Sequence, residues 1–262
     1  MSSRKKIFGI CHLCGNDREL SFEHVPPRAA FNDKPVIKVR CEEIIGLGPD
    51  EIVKGPLQQR GIGGHTLCIK CNSDTGGWYG RPFVDWCYQA MHILIKSGGK
   101  PSLVYLNYLL PLRILKQVVT MFFSVNADTF GQANPELVRF VLDRDRKYLP
   151  PAYRFFIYYN TTGRFRLAGI VGQMNLLAPG AKPTLMSEIT FPPFGYLMTL
   201  DSEPPDKRLF EITHFSRYDY NEFKVMTLKL PVLPTHLAYP GDYRTKEEIL
   251  QQAARSRDRN GA

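Results

Sequence analysis

Two Cys-x-x-Cys turns constrain this chain more than any other feature. Cys11 and Cys14 form one turn, and Cys68 and Cys71 form the other. This spacing lets two thiolates from one tight turn occupy adjacent corners of a zinc tetrahedron, with each sulfur about 2.3 Å from the metal. Two such turns complete a closed four-thiolate site, which leaves no open position for catalysis. The cysteines therefore predict one structural zinc ion that joins distant parts of the N-terminal third.

The remaining composition is that of an ordinary globular protein with a basic charge. Hydrophobic residues make up 44% of the 262 positions and charged residues 23%. No apolar run approaches the roughly 20 residues of a membrane span, and residues 7–10 are too short for a signal-peptide core. We therefore expect a cytoplasmic protein with no membrane partner. Cysteines stay reduced there, which favours metal over a disulfide.

The other polar and sulfur-bearing residues near the turns have simpler interpretations. His12 lies inside the first turn, but four thiolates leave it no vacancy, so we expect it not to be a ligand. Cys41 and Cys87 lack ligand spacing and are predicted to be buried apolar residues. A redox dithiol is the alternative to zinc for the paired cysteines.

The patterning predicts an α+β fold in which a small module precedes a larger domain. Residues 1–80 are rich in Gly, Pro and Cys, as expected of a module that depends on metal for folding. Residues 81–99 are predicted to form a connecting helix, and residues 100–262 a mixed α+β domain with an antiparallel sheet. Periodicity and capping signals predict helices at 82–97, 111–124, 135–143 and 245–255, and strands at 153–159, 165–171, 188–191, 194–200 and 223–230. The turn at 160–163 predicts that the first two of these strands form a hairpin.

Polar residues beside the cysteine turns offer hydrolytic chemistry. Glu23 and His24 lie between the turns, and Asn72 directly follows the last cysteine. A histidine with a pKa near 6.5 suits a general base at neutral pH. Carboxylate and amide oxygens suit Mg²⁺ or Mn²⁺. Adjacent residues on a regular strand point to opposite sides, so Glu23 and His24 can share a site only at a distorted strand end.

The order Cys-x-x-Cys, acidic-His-x-x-Pro, Leu-Cys-x-x-Cys-Asn resembles the zinc-stabilised HNH endonucleases, which carry the ββα-metal fold. The resemblance covers about residues 8–80. It implies that His24 is the general base and that Glu23 and Asn72 bind a catalytic Mg²⁺ or Mn²⁺. It further implies a metal-dependent endonuclease that hydrolyses phosphodiester bonds, with DNA favoured over RNA, in a bacterial defence or mobile-element system. The net charge of +9 is compatible with a nucleic-acid partner without establishing one.

The chain departs from this family's pattern in one catalytic position and in spacing. The central Asn, which in the family braces the loop of the base, is missing, and Gly63 stands near its place. His65 is the only side chain nearby with comparable polar chemistry, and it is the candidate for this supporting role. Arg28 and Lys70 are candidates for phosphate contact. The long spacing between the turns predicts an insertion at about residues 32–59, whose role the sequence does not reveal.

Two other functions remain open at this stage. A non-catalytic zinc-knuckle protein that binds nucleic acid would keep the fold and lose cleavage, as the missing Asn would favour. An interaction protein would use the cysteines only to hold its fold together. Retention of both Glu23 and His24 favours the enzyme. Oligomeric state, a homo-oligomer included, and the role of residues 100–262 are not predicted.

Overall fold

The computed structural model describes residues 6–101, 104–173 and 183–260. The described strands are β1 (Ile7–Ile10), β2 (Asp17–His24), β3 (Val36–Ile37), β4 (Leu57–Gln58), β5 (Gly63–Cys68), β6 (Tyr105–Leu109), β7 (Tyr153–Tyr159), β8 (Arg166–Gln173), β9 (Thr184–Phe191), β10 (Phe194–Leu200), β11 (Phe210–Glu211) and β12 (Lys224–Leu228). The described helices are α1 (Cys41–Ile44), α2 (Ile69–Thr75), α3 (Arg81–Lys96), α4 (Pro111–Val125), α5 (Phe130–Ala133), α6 (Pro135–Leu142) and α7 (Lys246–Asn260). The predicted α+β class with antiparallel sheets is confirmed.

The N-terminal part contains a three-stranded antiparallel sheet whose last strand, β5, is followed directly by a helix. The sheet order is β1-β2-β5, and β2 pairs antiparallel with β5. A register shift between Ser21 and Phe22 interrupts the regular pairing. Cys68 ends β5 and is also the N-cap of α2. The second cysteine turn therefore lies where the strand becomes the helix.

Helices α2 and α3 are joined by a π-helical turn at Gly76–Gly80. The backbone stays helical through this junction, with Gly76 at φ −61° and ψ −42° and Gly80 at φ −62° and ψ −45°. Such wide turns occur mostly as short insertions in α-helices and often at functional sites. One helical rod thus carries the last cysteine, three glycines and the predicted connecting helix.

The predicted insertion forms a small unit of its own. Residues 32–59 contain the two-stranded ribbon β3–β4 and the four-residue helix α1. This unit lies between β2 and β5 in the chain, so the two strands that carry His24 and Cys68 are close in space and distant in sequence.

The C-terminal sheet has five strands in the order β11-β7-β10-β9-β8. The predicted hairpin of β7 with β8 is wrong, because β10 and β9 lie between them. After β7 the chain bonds instead to a later segment: Tyr159 N donates to Pro231 O, and Arg164 N donates to Thr235 O, at 2.7 Å each. The hairpin in this sheet joins β9 to β10.

The other predicted elements are confirmed with small shifts at their ends. The four predicted helices correspond to α3, α4, α6 and α7, and the remaining predicted strands to β9, β10 and β12. At the start of α7, Thr245 N donates to Glu248 Oε2 at 2.7 Å and Glu248 N donates to Thr245 Oγ1 at 3.2 Å. These reciprocal bonds are the predicted capping box.

One hydrophobic core connects the N-terminal part to the C-terminal sheet. Helix α4 lies at its centre, since twelve of its fifteen residues are buried. The same cluster of buried residues contains Cys11 and Leu67 of the first part and Ile157 of the five-stranded sheet. The division into residues 1–80, 81–99 and 100–262 stays a prediction, but packing is continuous across it. In the described ranges, no helix combines the length and the apolar character needed to cross a membrane.

Candidate metal centre and adjoining cavity

The four predicted cysteines form one cluster. The sulfur atoms of Cys11, Cys14, Cys68 and Cys71 all lie within 4.8 Å of one another. Cys11, Cys68 and Cys71 are buried, and Cys14 is half-buried. A closed set of four thiolates is a donor set that structural Zn²⁺ takes in proteins. The cluster can therefore hold a metal ion such as zinc, with no position left open for substrate.

Local backbone geometry prepares both turns for a metal. In the first turn, Gly15 takes φ +71°, which a residue without Cβ adopts at little cost, and its N–H donates to Cys11 O at 2.8 Å. In the second turn, Cys71 N donates to Cys68 Sγ at 3.5 Å, and Cys68 N donates to Cys11 Sγ at 3.2 Å. These N–H groups stabilise negative charge on sulfur, the form that binds metal.

Two cysteines of the cluster, Cys11 and Cys71, influence each other's pKa through one hydrogen bond. A hydrogen bond from the Cys71 thiol lowers the pKa of Cys11 to about 4, with backbone N–H groups assisting against the cost of burial. The same contact raises the pKa of Cys71. One thiolate is thus favoured beside a protonated partner, and a bound cation would take the place of that proton.

The first turn is attached to the core helix. The Nδ1 atom of His12 lies 3.1 Å from Phe123 O near the end of α4. A Cβ at Gly131 would lie 2.7 Å from His12 O, so the chain after α4 packs directly against the turn. His12 therefore serves as a link between the turn and α4 and is not part of the four-sulfur cluster, as predicted.

The two remaining cysteines differ from each other. Cys87 on α3 is buried, as predicted, whereas Cys41 at the start of α1 is exposed. The prediction of burial is wrong for Cys41 because it begins the four-residue helix α1, which has no buried residue.

A cavity of about 250 Å³ adjoins the cluster and contains most of the predicted site. Four of the six predicted catalytic or supporting residues border it: Glu23, His24, Arg28 and Asn72. The cavity is also bordered by Gln117 of α4 and by three residues of the helical rod, Thr75, Gly76 and Gly80. The sequence places Asn72 about fifty positions from His24, and the pairing of β2 with β5 brings them together.

A second cavity, of about 290 Å³, is less suited to chemistry. It is lined mainly by aliphatic side chains, several of them from the insertion. Of the residues that line it, only Lys38 carries a charge. The smaller cavity has a base, a carboxylate and two amides, so it is the better candidate for a reactive site.

The ring of His24 is fixed in one orientation. His24 ends β2, and its Nε2 atom lies 2.9 Å from Arg60 O. A carbonyl oxygen only accepts hydrogen bonds, so Nε2 must carry the hydrogen. The ring also contacts Phe22 edge-on, with ring centroids 5.0 Å apart. This arrangement leaves Nδ1 with a free lone pair, which is the form of histidine that can accept a proton.

Glu23 lies at the buried edge of the cavity. Its Oε2 atom accepts hydrogen bonds from Ser124 Oγ on α4 and from Thr66 Oγ1 on β5, the latter at 3.4 Å. Burial raises the pKa of Glu23 to about 7, and these two hydrogen bonds act in the opposite direction. Both bonds go to Oε2, which leaves Oε1 as the atom able to bind a cation. A cation there would offset the cost of burying the charge.

Asn72 is fixed in a similar way in the first turns of α2. Its Nδ2 atom donates to Ser21 Oγ at 2.9 Å, and Ser21 Oγ donates to Leu67 O at 3.2 Å. The amide nitrogen is therefore engaged, and Oδ1 is the atom left to accept a hydrogen bond or to ligate a metal.

Two predicted supporting residues do not border the cavity. His65 is exposed and contacts Phe22 edge-on, with ring centroids 5.3 Å apart, and its side chain makes no hydrogen bond to any residue the structure describes. Lys70 is exposed and pairs with Asp74 one helical turn later. The geometry thus does not favour support of the loop by His65 or phosphate contact by Lys70. Arg28, in contrast, is exposed at the rim of the cavity.

A buried asparagine that the sequence analysis missed holds the loop after His24. Asn32 is fully buried; its Nδ2 atom donates to Pro26 O at 2.7 Å and to Ile62 O at 2.8 Å, while its Oδ1 accepts from Ile62 N at 2.7 Å. Each backbone group left without its partner would cost about 1–3 kcal/mol. Asn32 therefore performs the bracing that the sequence analysis sought near Gly63.

Backbone crowding explains why no asparagine stands at position 63. A Cβ at Gly63 would lie 2.0 Å from Glu23 O, which is too close for any side chain. Only glycine lets β5 approach β2 this closely beside His24. The brace is consequently supplied from the other side of the loop, by a residue within the predicted insertion.

Helix α4 contributes two further residues that no motif indicated. Ser124 binds the Glu23 carboxylate, and Gln117 borders the cavity. The two are seven positions apart and so lie on one face of the helix. The sequence shows polar residues at 117, 120 and 124, beside the charged Arg113 and Lys116, but it does not indicate where that face of the helix packs.

No protein-family model, curated protein or solved structure matches this chain. The function of the cavity must therefore be inferred from its own geometry and chemistry.

Proposed function

We propose that this protein is a metal-dependent endonuclease that hydrolyses phosphodiester bonds of DNA. The proposal depends chiefly on one observation: His24, Glu23 and Asn72 border one cavity, and His24 has its Nε2 hydrogen bonded so that Nδ1 is free. The resemblance of residues 8–80 to zinc-stabilised HNH endonucleases supports it. Two antiparallel strands followed by a helix, with a cysteine cluster at their junction, are compatible with the ββα-metal fold of that family.

The cavity offers ligands that fit the catalytic cation. Oε1 of Glu23 and Oδ1 of Asn72 are the oxygens left after the hydrogen bonds of each side chain are assigned. Oxygen donors suit hard ions such as Mg²⁺ or Mn²⁺, whereas Zn²⁺ also binds well to thiolates such as those of the cysteine cluster. A bound cation would neutralise charge on the phosphate and lower the energy of the transition state.

Each residue of the site then has a separate task. Nδ1 of His24 accepts a proton from the attacking water, and the Arg60 carbonyl holds the ring in place while it does so. Ser124 and Thr66 hold the Glu23 carboxylate, and Ser21 holds the Asn72 amide. Arg28 at the rim is placed to attract the phosphate backbone.

The four cysteines have a structural task in this scheme. They fix the start of α2 against β2, and so keep Asn72 near Glu23 and His24. Such a site needs reduced thiols, which fits a cytoplasmic location. A role in a bacterial defence or mobile-element system is part of the proposal on the strength of the family resemblance alone.

Cleavage of supercoiled plasmid tests the proposal directly. Protein that carries its zinc is incubated with plasmid in the presence of Mg²⁺ or Mn²⁺, or with neither ion. We expect nicked or linear product only when one of the ions is added. Omission of the ion is a better control than a chelator, because a chelator would also remove zinc. Absence of product under both ions, with DNA binding retained, would overturn the enzymatic proposal.

A non-catalytic nucleic-acid-binding protein is the second candidate. One observation favours it: the Glu23 carboxylate is buried and already accepts two hydrogen bonds, which reduces its need for a cation. The plasmid assay separates the two candidates, because a binding protein retards the plasmid in a gel without changing its topology.

The glycines of the helical rod give a test of where the substrate lies. A Cβ built at Gly76 or at Gly77 would meet no atom within 4 Å. Of these two glycines, only Gly76 borders the cavity. We expect Gly76→Leu and Gly77→Leu each to raise the free energy of unfolding by about 0.5–1 kcal/mol, because glycine is a poor helix former. Gly76→Leu should also slow plasmid cleavage about tenfold or more, as expected when a reacting group is displaced.

Gly77→Leu is the matched control for this prediction, since its side chain lies outside the cavity. Nicking rates and thermal unfolding of the two variants are compared with those of the wild-type protein. Equal nicking rates for the two variants would show that the reaction takes place elsewhere.

A further inference from the structure

Gln117 has an unsatisfied buried oxygen at the candidate site. The residue is 4% exposed, and its Oε1 atom has no hydrogen-bond partner among the residues that the structure describes. It lies on α4, outside the segment that resembles HNH endonucleases, and borders the same cavity as Glu23 and Asn72. A buried amide oxygen without a donor bears the full cost of its desolvation. Such an atom in a native protein calls for a partner.

The neighbours of Gln117 on α4 are satisfied, so the defect is confined to the cavity. Lys116 is equally buried, but its Nζ atom donates to the carbonyl oxygens of Asp143 and Arg144. Thr120 donates to Lys116 O at 2.8 Å. Of these three buried polar side chains of α4, only that of Gln117, which borders the cavity, has an oxygen without a hydrogen-bond partner among the described residues.

We propose that Gln117 supplies a third protein oxygen to the divalent cation, beside Glu23 Oε1 and Asn72 Oδ1. This inference rests on the proposed function of the cavity. The atom without a partner is an oxygen, which can accept from water or bind a cation but cannot donate to phosphate. An uncharged amide oxygen is a suitable ligand for Mg²⁺ or Mn²⁺.

The proposal makes one face of α4 part of the metal site. Ser124, two helical turns after Gln117, donates to the Oε2 atom of Glu23 and so leaves Oε1 for a cation. Helix α4 would therefore act twice, once by orienting a ligand and once by providing one. The site would draw its ligands from residues 1–80 and from residues 100–262 together.

Mn²⁺ binding to the full chain, measured by isothermal titration calorimetry and by loss of the free Mn²⁺ electron-spin-resonance signal, tests the inference without reference to activity. Zinc content is confirmed in every sample before titration. We expect Gln117→Leu to bind Mn²⁺ about tenfold or more weakly than the wild-type protein, as for loss of a contact in a metal site. Gln117→Glu, which keeps an oxygen at this position, should bind at least as tightly as wild type.

A second glutamine provides the matched control. Gln58 on β4 also has an Oε1 atom that is buried without a partner, but it does not border the cavity. Gln58→Leu should leave Mn²⁺ affinity unchanged. Both leucine variants should unfold at the same temperature as wild type or higher without Mn²⁺, because each removes an unpaired polar group. If Gln117→Leu fails to fold, Gln117→Asn, which shortens the reach by one methylene, is expected to show the same loss of affinity.

The outcomes separate this inference from the proposed function. Equal Mn²⁺ affinity of wild type and Gln117→Leu would overturn the role of Gln117, while Mn²⁺-dependent cleavage by wild type would leave the nuclease proposal standing. Absence of Mn²⁺ binding by wild type would overturn both. A loss of affinity in Gln117→Leu together with recovery in Gln117→Glu would support the ligand role, which a purely structural residue would not show.

Discussion

Replacing Cys71 with serine is expected to remove bound zinc and to lower the free energy of unfolding by more than about 4 kcal/mol. Cys71 is 5% exposed, and its sulfur lies within 4.8 Å of the other three. The cluster packs in the main hydrophobic core, so a lost metal would leave three thiols, two of them buried, and a new hydroxyl without a common partner. Metal analysis should give about one zinc per wild-type chain, and urea unfolding should measure the loss of stability.

The other two cysteines provide controls for this prediction. Cys87→Ser alters a buried cysteine outside the cluster, and Cys41→Ser alters an exposed one. Both variants should keep their zinc, and Cys41→Ser should keep its stability as well. A wild-type protein that contains no zinc, or a Cys71→Ser protein that retains a full equivalent, would contradict the predicted metal centre.

Replacing His24 with alanine is expected to reduce plasmid cleavage by about 10²–10⁴-fold, the usual contribution of a positioned general base. The side chain is the only group at the cavity with a free imidazole nitrogen among the residues described there. Single-turnover nicking rates measure the effect on the chemical step. Mn²⁺ affinity should stay close to that of wild type, because His24 is proposed to act on water and not on the cation.

His65→Ala is the matched control for the general base. His65 contacts the same Phe22 ring as His24, but it is exposed and lies outside the cavity. Its removal should leave the nicking rate within about twofold. Equal losses in the two variants would point to a general effect on β2 and β5, and equal cleavage by wild type and His24→Ala would refute the assignment of the base.

Helices were predictable from the sequence because their signals are local. The apolar spacing of α3 and the reciprocal bonds of Thr245 with Glu248 depend on residues a few positions apart. Strand pairing is different, because it depends on partners far along the chain. Residues 160–163 do follow β7, but the backbone there bonds to Pro193 and Thr235 and not back onto β7. A turn signal alone does not identify the strands that it connects.

The residues of the candidate site also fall into those with a local sequence signal and those without one. Glu23, His24, Asn72 and the four cysteines were found because each stands beside a recognisable short motif. Asn32, Ser124 and Gln117 were missed because only tertiary packing brings them to the cavity. Gly63 could be noticed in the sequence, but its meaning, a close approach to the Glu23 carbonyl, exists only in three dimensions.

The link between the first cysteine turn and α4 has a consequence for any attempt to isolate the N-terminal part. His12 contacts the carbonyl of Phe123, and Gly131 packs against the backbone of His12. A fragment that ended before α4 would expose the inner side of the cysteine cluster and would lose Ser124, the partner of Glu23. Truncations at residue 80 or 99 should therefore yield aggregating or inactive protein, and domain swaps with this chain should carry α4 along with the cysteines.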